Sequence, residues 1–137
     1  MILILNILDN NKAEWILAEK KKQCAFDMQA GQENILTEFD DCLHQENIEL
    51  RNITGFGLAI KQASLTQVKV QVTIINTLGW QLQVPVVADF FYQGDLKIED
   101  LVNKIEKQKD FKAIKPEYQR EAEVTVSKKT PKFTIAK

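Results

Sequence analysis

Few side chains in this sequence have a type and spacing that would do chemistry. His44 is the single histidine, so there is no second imidazole to complete a metal site or a proton relay with it. It stands beside Leu43 near the end of an amphipathic run and reads as an exposed or capping residue. Cys24 and Cys42 form neither a spaced metal motif nor a disulfide framework. Both have apolar neighbours and read as reduced core thiols. Asp40 and Asp41 are adjacent, so on a helix they point in different directions and do not make an acid/base pair. The chain carries neither a Walker phosphate loop nor a Gly-x-Ser-x-Gly elbow. These residues lead to the expectation of no catalytic residue, no metal site and no cofactor.

Composition sets the frame for whatever positions such residues. A chain of 137 residues, 45% of them hydrophobic, is one domain with enough apolar material for a core. A net charge of −1 gives the whole chain no nucleic-acid footprint. The charge is uneven, however. From Lys112 to Lys137 seven Lys/Arg face three acids, +4 in all, which leaves the rest at −5. A basic tail on an acidic body suits an acidic partner or RNA, although a solvated tail is the more common use of such charge. No apolar run is long enough to span a membrane, and the apolar start lacks the basic residues and cleavage site of a signal peptide. The expected location is cytoplasmic.

Taken in order, Ile2 to Leu8 is an apolar run broken by Asn6, the pattern of a strand buried on both faces. Asp9-Asn10-Asn11 is a turn. Ala13 to Ala18 and Gln23 to Met28 follow as strands two and three, joined by a charged hairpin at Glu19 to Lys22. Gly31 to Asn47 reads as a helix, with Ile35, Leu36, Phe39, Cys42 and Leu43 on its apolar stripe. Ile53 to Ile60 is a fourth strand, in which Gly55 and Gly57 permit close backbone approach. Val86 to Ala88 is a fifth strand. Ile98, Leu101, Val102 and Ile105 mark a further helix with Asp95 as its N-cap. From Asp110 onward periodicity is lost, and Pro116, Pro131 and the lysines predict an extended arm.

The stretch between strands four and five is the ambiguous one. Gln67 to Ile74 alternates polar and apolar residues, and Val68, Val70, Val72 and Ile74 are β-branched, so the first half alone favours a strand. Over a longer window Leu65, Val68, Val72, Ile75 and Leu82 share one helical face, while Val70, Ile74 and Leu78 form a second stripe roughly opposite. If the stretch is a helix, both stripes cannot face one sheet, and the second must meet a neighbouring helix or another protein.

A resemblance favours the helix. Ser64-Leu65-Thr66, Val68-Lys69-Val70 and Val84-Pro85-Val86-Val87 stand where the bacterial TsaB family has a Gly-Pro-Gly-Ser-Phe-Thr-Gly-Leu-Arg loop, a helix and an Ile-Pro-led strand. Met1 to Asn6 is similar to the family's Met-Ile-Leu-x-Leu-Asp opening, with Asn for Asp. Gly31 to Thr37 resembles its His-Ser-Glu-x-Leu-Leu-Pro helix start, and Lys115 to Arg120 its Pro-x-Tyr-x-Arg ending, through Pro116, Tyr118 and Arg120. The chain thus resembles a short, degenerate member covering the N-terminal lobe. The resemblance implies an α/β, RNase H-like (actin-like ATPase) single lobe: a five-stranded mixed sheet, three helices and an extended C-terminal arm, with the lobe at 1–110 and the basic tail at 111–137. Right-handed crossovers are expected after strands three and four.

Enzymes of this superfamily use a carboxylate at the end of strand one and glycine-rich turns that let phosphates approach backbone N–H groups. Here Asn6 is a neutral amide, and Lys61, Ala63 and Gln67 occupy the family's glycine positions. No ATP binding is therefore expected. TsaB proteins are non-catalytic. They pair through two helices with TsaD, which threonylcarbamoylates adenosine 37 of tRNA, and TsaE joins them. By resemblance, TsaD is the expected partner and TsaE a further one, with tRNA met only indirectly or through the basic tail. The expected interface is Val70, Ile74 and Leu78, with Phe39 and Leu43. A free-standing homodimer using the same surface and a residual nucleotide-binding enzyme are the alternatives.

Overall fold

The computed structural model describes residues 1–28 and 33–117. Among these residues nine elements follow one another: β1 (Ile2–Ile7), β2 (Lys12–Leu17), β3 (Lys22–Asp27), α1 (Glu33–Gln45), a 3-10 turn (Leu50–Asn52), β4 (Gly55–Ile60), α2 (Leu65–Leu82), β5 (Val86–Phe90) and α3 (Ile98–Lys107). The strands form one sheet in the order β3-β2-β1-β4-β5. The first three make an antiparallel meander, with Leu5 opposite Trp15 and Trp15 opposite Cys24. β4 runs parallel to β1, with Leu5 opposite Leu58, and β5 runs parallel to β4.

β1 is buried along its whole length, as its apolar run predicts. Leu3, Leu5 and Ile7 belong to one core, and Ile2 and Ile4 to the core on the opposite face. The β1–β2 turn is closed by Asp9, whose Oδ1 accepts from the N–H groups of Asn11 (2.7 Å) and Lys12 (2.9 Å). Lys21 takes a positive φ of 53° at the β2–β3 turn.

The ambiguous stretch is a helix, for a topological reason. β4 and β5 are parallel neighbours, so the chain between them must travel back the length of the sheet. The 18-residue α2 does this, covering about 27 Å at 1.5 Å per residue. Its start is fixed by a capping box: Ser64 Oγ accepts from Gln67 N–H at 3.2 Å, and Gln67 Oε1 accepts from Ser64 N–H at 3.3 Å. Its end closes on Gln83 in the left-handed conformation, while Val84 N–H donates to Gly79 O at 3.0 Å.

Several local expectations are corrected. Leu8 is outside β1 and exposed. Asp95 does not cap α3. Lys97 holds the cap position without a side-chain bond, and Glu99 and Asp100 supply negative charge to the first turn. Leu36 and Leu65 are exposed, although the periodicity predicts each on an apolar stripe of its helix. Cys24 and Cys42 are joined as a disulfide between β3 and α1, with a Cα–Cα distance of 6.2 Å. The separation of 18 residues hides the pair in the sequence, because only the packing of α1 on β3 brings the two together.

α1 and α2 lie on one face of the sheet, α1 against β2 and β3 and α2 against β4 and β5. α3 packs on the other face, against β4 and β5. After α3 the chain is irregular but anchored. The Asn76 side chain of α2 pairs with Ile114 like a strand, accepting from its N–H at 2.7 Å and donating to its carbonyl at 3.1 Å. Tyr92 Oη donates to the Glu117 carbonyl.

Candidate functional site: the strand-end crevice and the outer side of α2

In open sheets with parallel strands, ligands bind beyond the carboxyl ends of those strands. Here that region is framed by the turn after β1, the loop from Lys61 to Ser64 and the loop after β5. Side chains of this chain tie the three together. Lys61 Nζ donates to Gly94 O at 2.8 Å and lies 5.6 Å from the centre of the Phe91 ring. Gln67 Nε2 donates to Asn10 O at 3.1 Å, bridging the start of α2 to the β1–β2 turn. Asn6 Nδ2 donates to Glu14 Oε2 at 2.8 Å, while its buried Oδ1 has no hydrogen-bond partner among the described residues. Lys61 and Gln67 thus link the loops at the strand ends to one another. His44 is exposed, its Nδ1 2.9 Å from Asp40 O and 3.5 Å from the Asp40 carboxylate. Among the described residues no three His, Cys, Asp or Glu side chains come together in a way that would hold a metal ion.

The second region is the surface of α2. Val68, Gln71, Val72, Ile75 and Gly79 make up its buried side. Val70, Ile74 and Leu78 follow at i, i+4 and i+8, which puts them in one row along the helix. All three are half-buried, and Ile74 and Leu78 rest against the edge of the core. The structure therefore brings these expected interface residues together on a surface.

Phe39 and Leu43 are a correction. They are 6% and 5% exposed and point into the sheet, where Phe39 stacks between Trp15 (5.0 Å) and Phe56 (6.0 Å). Their positions i and i+4 belong to the core stripe of α1, which a partner does not reach. Among the described residues of α1, Leu36 is an outward apolar residue, 47% exposed. The sequence reading also missed Trp80, 60% exposed near the end of α2. At 100° per residue Trp80 falls nearly opposite Leu78, so it belongs to neither stripe, and a lone exposed aromatic leaves no periodic signal. Pro116 is exposed at the end of the described chain. Tyr118 and Arg120, and most of the basic tail, lie outside the described residues.

A five-stranded mixed sheet in this order, with two helices on one face and a third on the other, is an RNase H-like (actin-like) α/β fold. Two solved structures share it. YeaZ from Pseudomonas aeruginosa matches with a TM-score of 0.51 and 16% identity, over 64% of this chain and 43% of that one. A protein described as uncharacterized, with similarity to peptidase YEAZ from Pseudomonas aeruginosa, matches with a TM-score of 0.54 and 16% identity, over 78% of this chain and 48% of that one. This chain spans less than half the length of either structure. No protein-family model and no curated protein matches it. At this identity the likeness is one of fold. No helix among the described residues is long and apolar enough to cross a membrane.

Proposed function

We propose that this chain is a non-catalytic partner subunit that pairs with a TsaD-type protein and thereby supports threonylcarbamoylation of adenosine 37 in tRNA. The observation that carries this reading is the row Val70, Ile74 and Leu78, apolar residues left half-exposed along a helix whose other side already fills the core. A helix presenting such a row to solvent has a surface suited to a second helix. The YeaZ-like fold and the motif resemblance around Ser64 and Pro85 supply the class of partner. The crevice favours a binding role over catalysis, since Lys61 and Gln67 use their polar groups to join its loops.

The test is co-expression with a TsaD from the same source, followed by pull-down and native mass. The expected result is a stable complex that Ile74→Asp weakens at least tenfold, with the monomer still folded by circular dichroism. An aliphatic anchor of this kind contributes about 1–2 kcal/mol, and a buried charge adds to the loss. Undiminished binding by the variant removes the assigned surface. A homodimer with no TsaD in it overturns the partner. Calorimetry with magnesium and ATP is expected to give no heat of binding, and a micromolar affinity would return the crevice to a nucleotide.

A further inference from the structure

The disulfide joins two layers of the fold, the edge strand β3 and the helix α1 that packs on it. Cys24 lies on β3, which among the described residues is an edge strand paired with β2, and four of its six residues are exposed. Cys42 lies within the buried stripe of α1 and is 1% exposed, whereas Cys24 is half-exposed. α1 rests on β2 and β3, at one edge of the sheet. Among the described residues its other polar ties to the sheet are few. Trp15 Nε1 donates to Ile35 O at 3.2 Å. At the far end, Lys20 Nζ donates to Glu46 O at 3.0 Å, and Lys20 and Lys22 reach the Glu46 carboxylate at 3.9 and 3.3 Å from solvent-exposed positions. The two lysines are exposed while the Glu46 side chain is only 12% exposed, so these ties hold the end of α1, beyond Cys42.

We infer that Cys24 and Cys42 form a redox modification site, a clasp that holds α1 to the edge of the sheet when oxidised and lets it open locally when reduced. The half-exposed Cys24 sulfur is the point of attack. A thiolate of a small thiol such as glutathione displaces Cys42, giving a mixed disulfide on Cys24 and a Cys42 thiolate that takes up a proton. A second thiolate attacks the outer sulfur of the mixed disulfide, releasing glutathione disulfide and the Cys24 thiolate. In sum, one protein disulfide and two small thiols become two protein thiols and one small disulfide. The reverse reaction closes the clasp with glutathione disulfide as oxidant. Cys42 stays shielded while α1 is docked, so exchange through Cys24 needs no prior unfolding. This device concerns how α1 is held and does not depend on the identity of any partner.

The experiment uses the full chain equilibrated across ratios of glutathione to glutathione disulfide. Free thiols are counted by alkylation and intact mass, and amide hydrogen exchange is followed in α1 and α2. The expected result is one concerted transition between zero and two free thiols. On reduction, exchange across α1 should rise by tenfold or more, up to roughly the hundredfold expected for a cross-link closing a loop of this size. Exchange in α2 should not change. Equal α1 exchange in both states overturns the inference, as does a pair that stays unpaired at every ratio. Two variants locate the attack without relying on that comparison. Cys42→Ser should carry one glutathione on Cys24, and Cys24→Ser should leave Cys42 unmodified. Equal modification of both variants sinks the assigned entry point.

Discussion

The two faces of the sheet are built on opposite plans, and β4 shows how. On one side it presents Phe56, Leu58 and Ile60, and on the other Gly55, Gly57 and Ala59. The large residues support a thick layer in which α1 and α2 stand over Leu3, Leu5, Ile7, Trp15 and Leu17, tied by the Trp15–Phe39–Phe56 aromatic chain. The small residues let a single helix, α3, come down close to the backbone and bury only Leu101 and Ile105 against Ile2, Ile4 and Ile16. Beside α3, toward the β2–β3 turn, a cavity of about 1050 Å³ stays open. One face is stable by the volume it buries, the other by how closely one helix fits.

The widest gap between the faces should appear when each is injured in its own way. Trp15 is fully buried, lies against Phe39 and donates to the Ile35 carbonyl. Trp15→Ala removes the floor beneath α1 and should cost about 3–5 kcal/mol in urea unfolding. The loss should be global, because the cluster spans β1, β2, α1, α2 and β4. A cost under about 2 kcal/mol would mean that the thick layer repacks around the hole.

Gly55→Ala attacks the thin face with one methyl group. A Cβ there would lie 2.5 Å from Ile105 Cγ2, a branched atom that cannot swing away without moving α3. The expected cost is about 1–3 kcal/mol by overpacking. Amide exchange should quicken in α3 first and leave α1 and α2 protected. Equal loosening of α2 would show that the two faces are not independent.

Much of this fold was legible because β4 and its neighbours carry their periodicity plainly. The run from Ile2 to Ile7 announces burial on both faces, and Gly55 and Gly57 announce close approach. The helix at Leu65–Leu82 was legible only in part. Its β-branched residues argue for a strand, and the deciding fact, a parallel β4–β5 pair that needs a crossover, is non-local. Phe39 and Leu43 looked available for a partner because a stripe shows that a helix has an inside without showing how deep it sits. The Cys24–Cys42 pairing was invisible for a related reason, since it depends on which strand α1 covers. Asp95 was a reasonable cap by residue type, yet the helix begins three residues later, where charge in the first turn does the work.

The finest contrast lies between two buried amides, one on each face. Asn6 is 5% exposed and gives its Nδ2 to Glu14, so removing it leaves a carboxylate short of a donor. Gln71 is fully buried on α2, beside Val68, Val72 and Ile75, and neither its Nε2 nor its Oε1 finds a partner among the described residues. An unpaired buried amide costs about 1–3 kcal/mol relative to an apolar group of similar shape. Gln71→Leu should therefore leave stability unchanged or raise it by up to about 1 kcal/mol, a few degrees in the thermal midpoint. Asn6→Leu should lower it, because the Glu14 carboxylate then loses its donor. If Gln71→Leu is the damaging change, the amide has a partner in solution, and the thick face holds a polar contact that its apolar surroundings conceal.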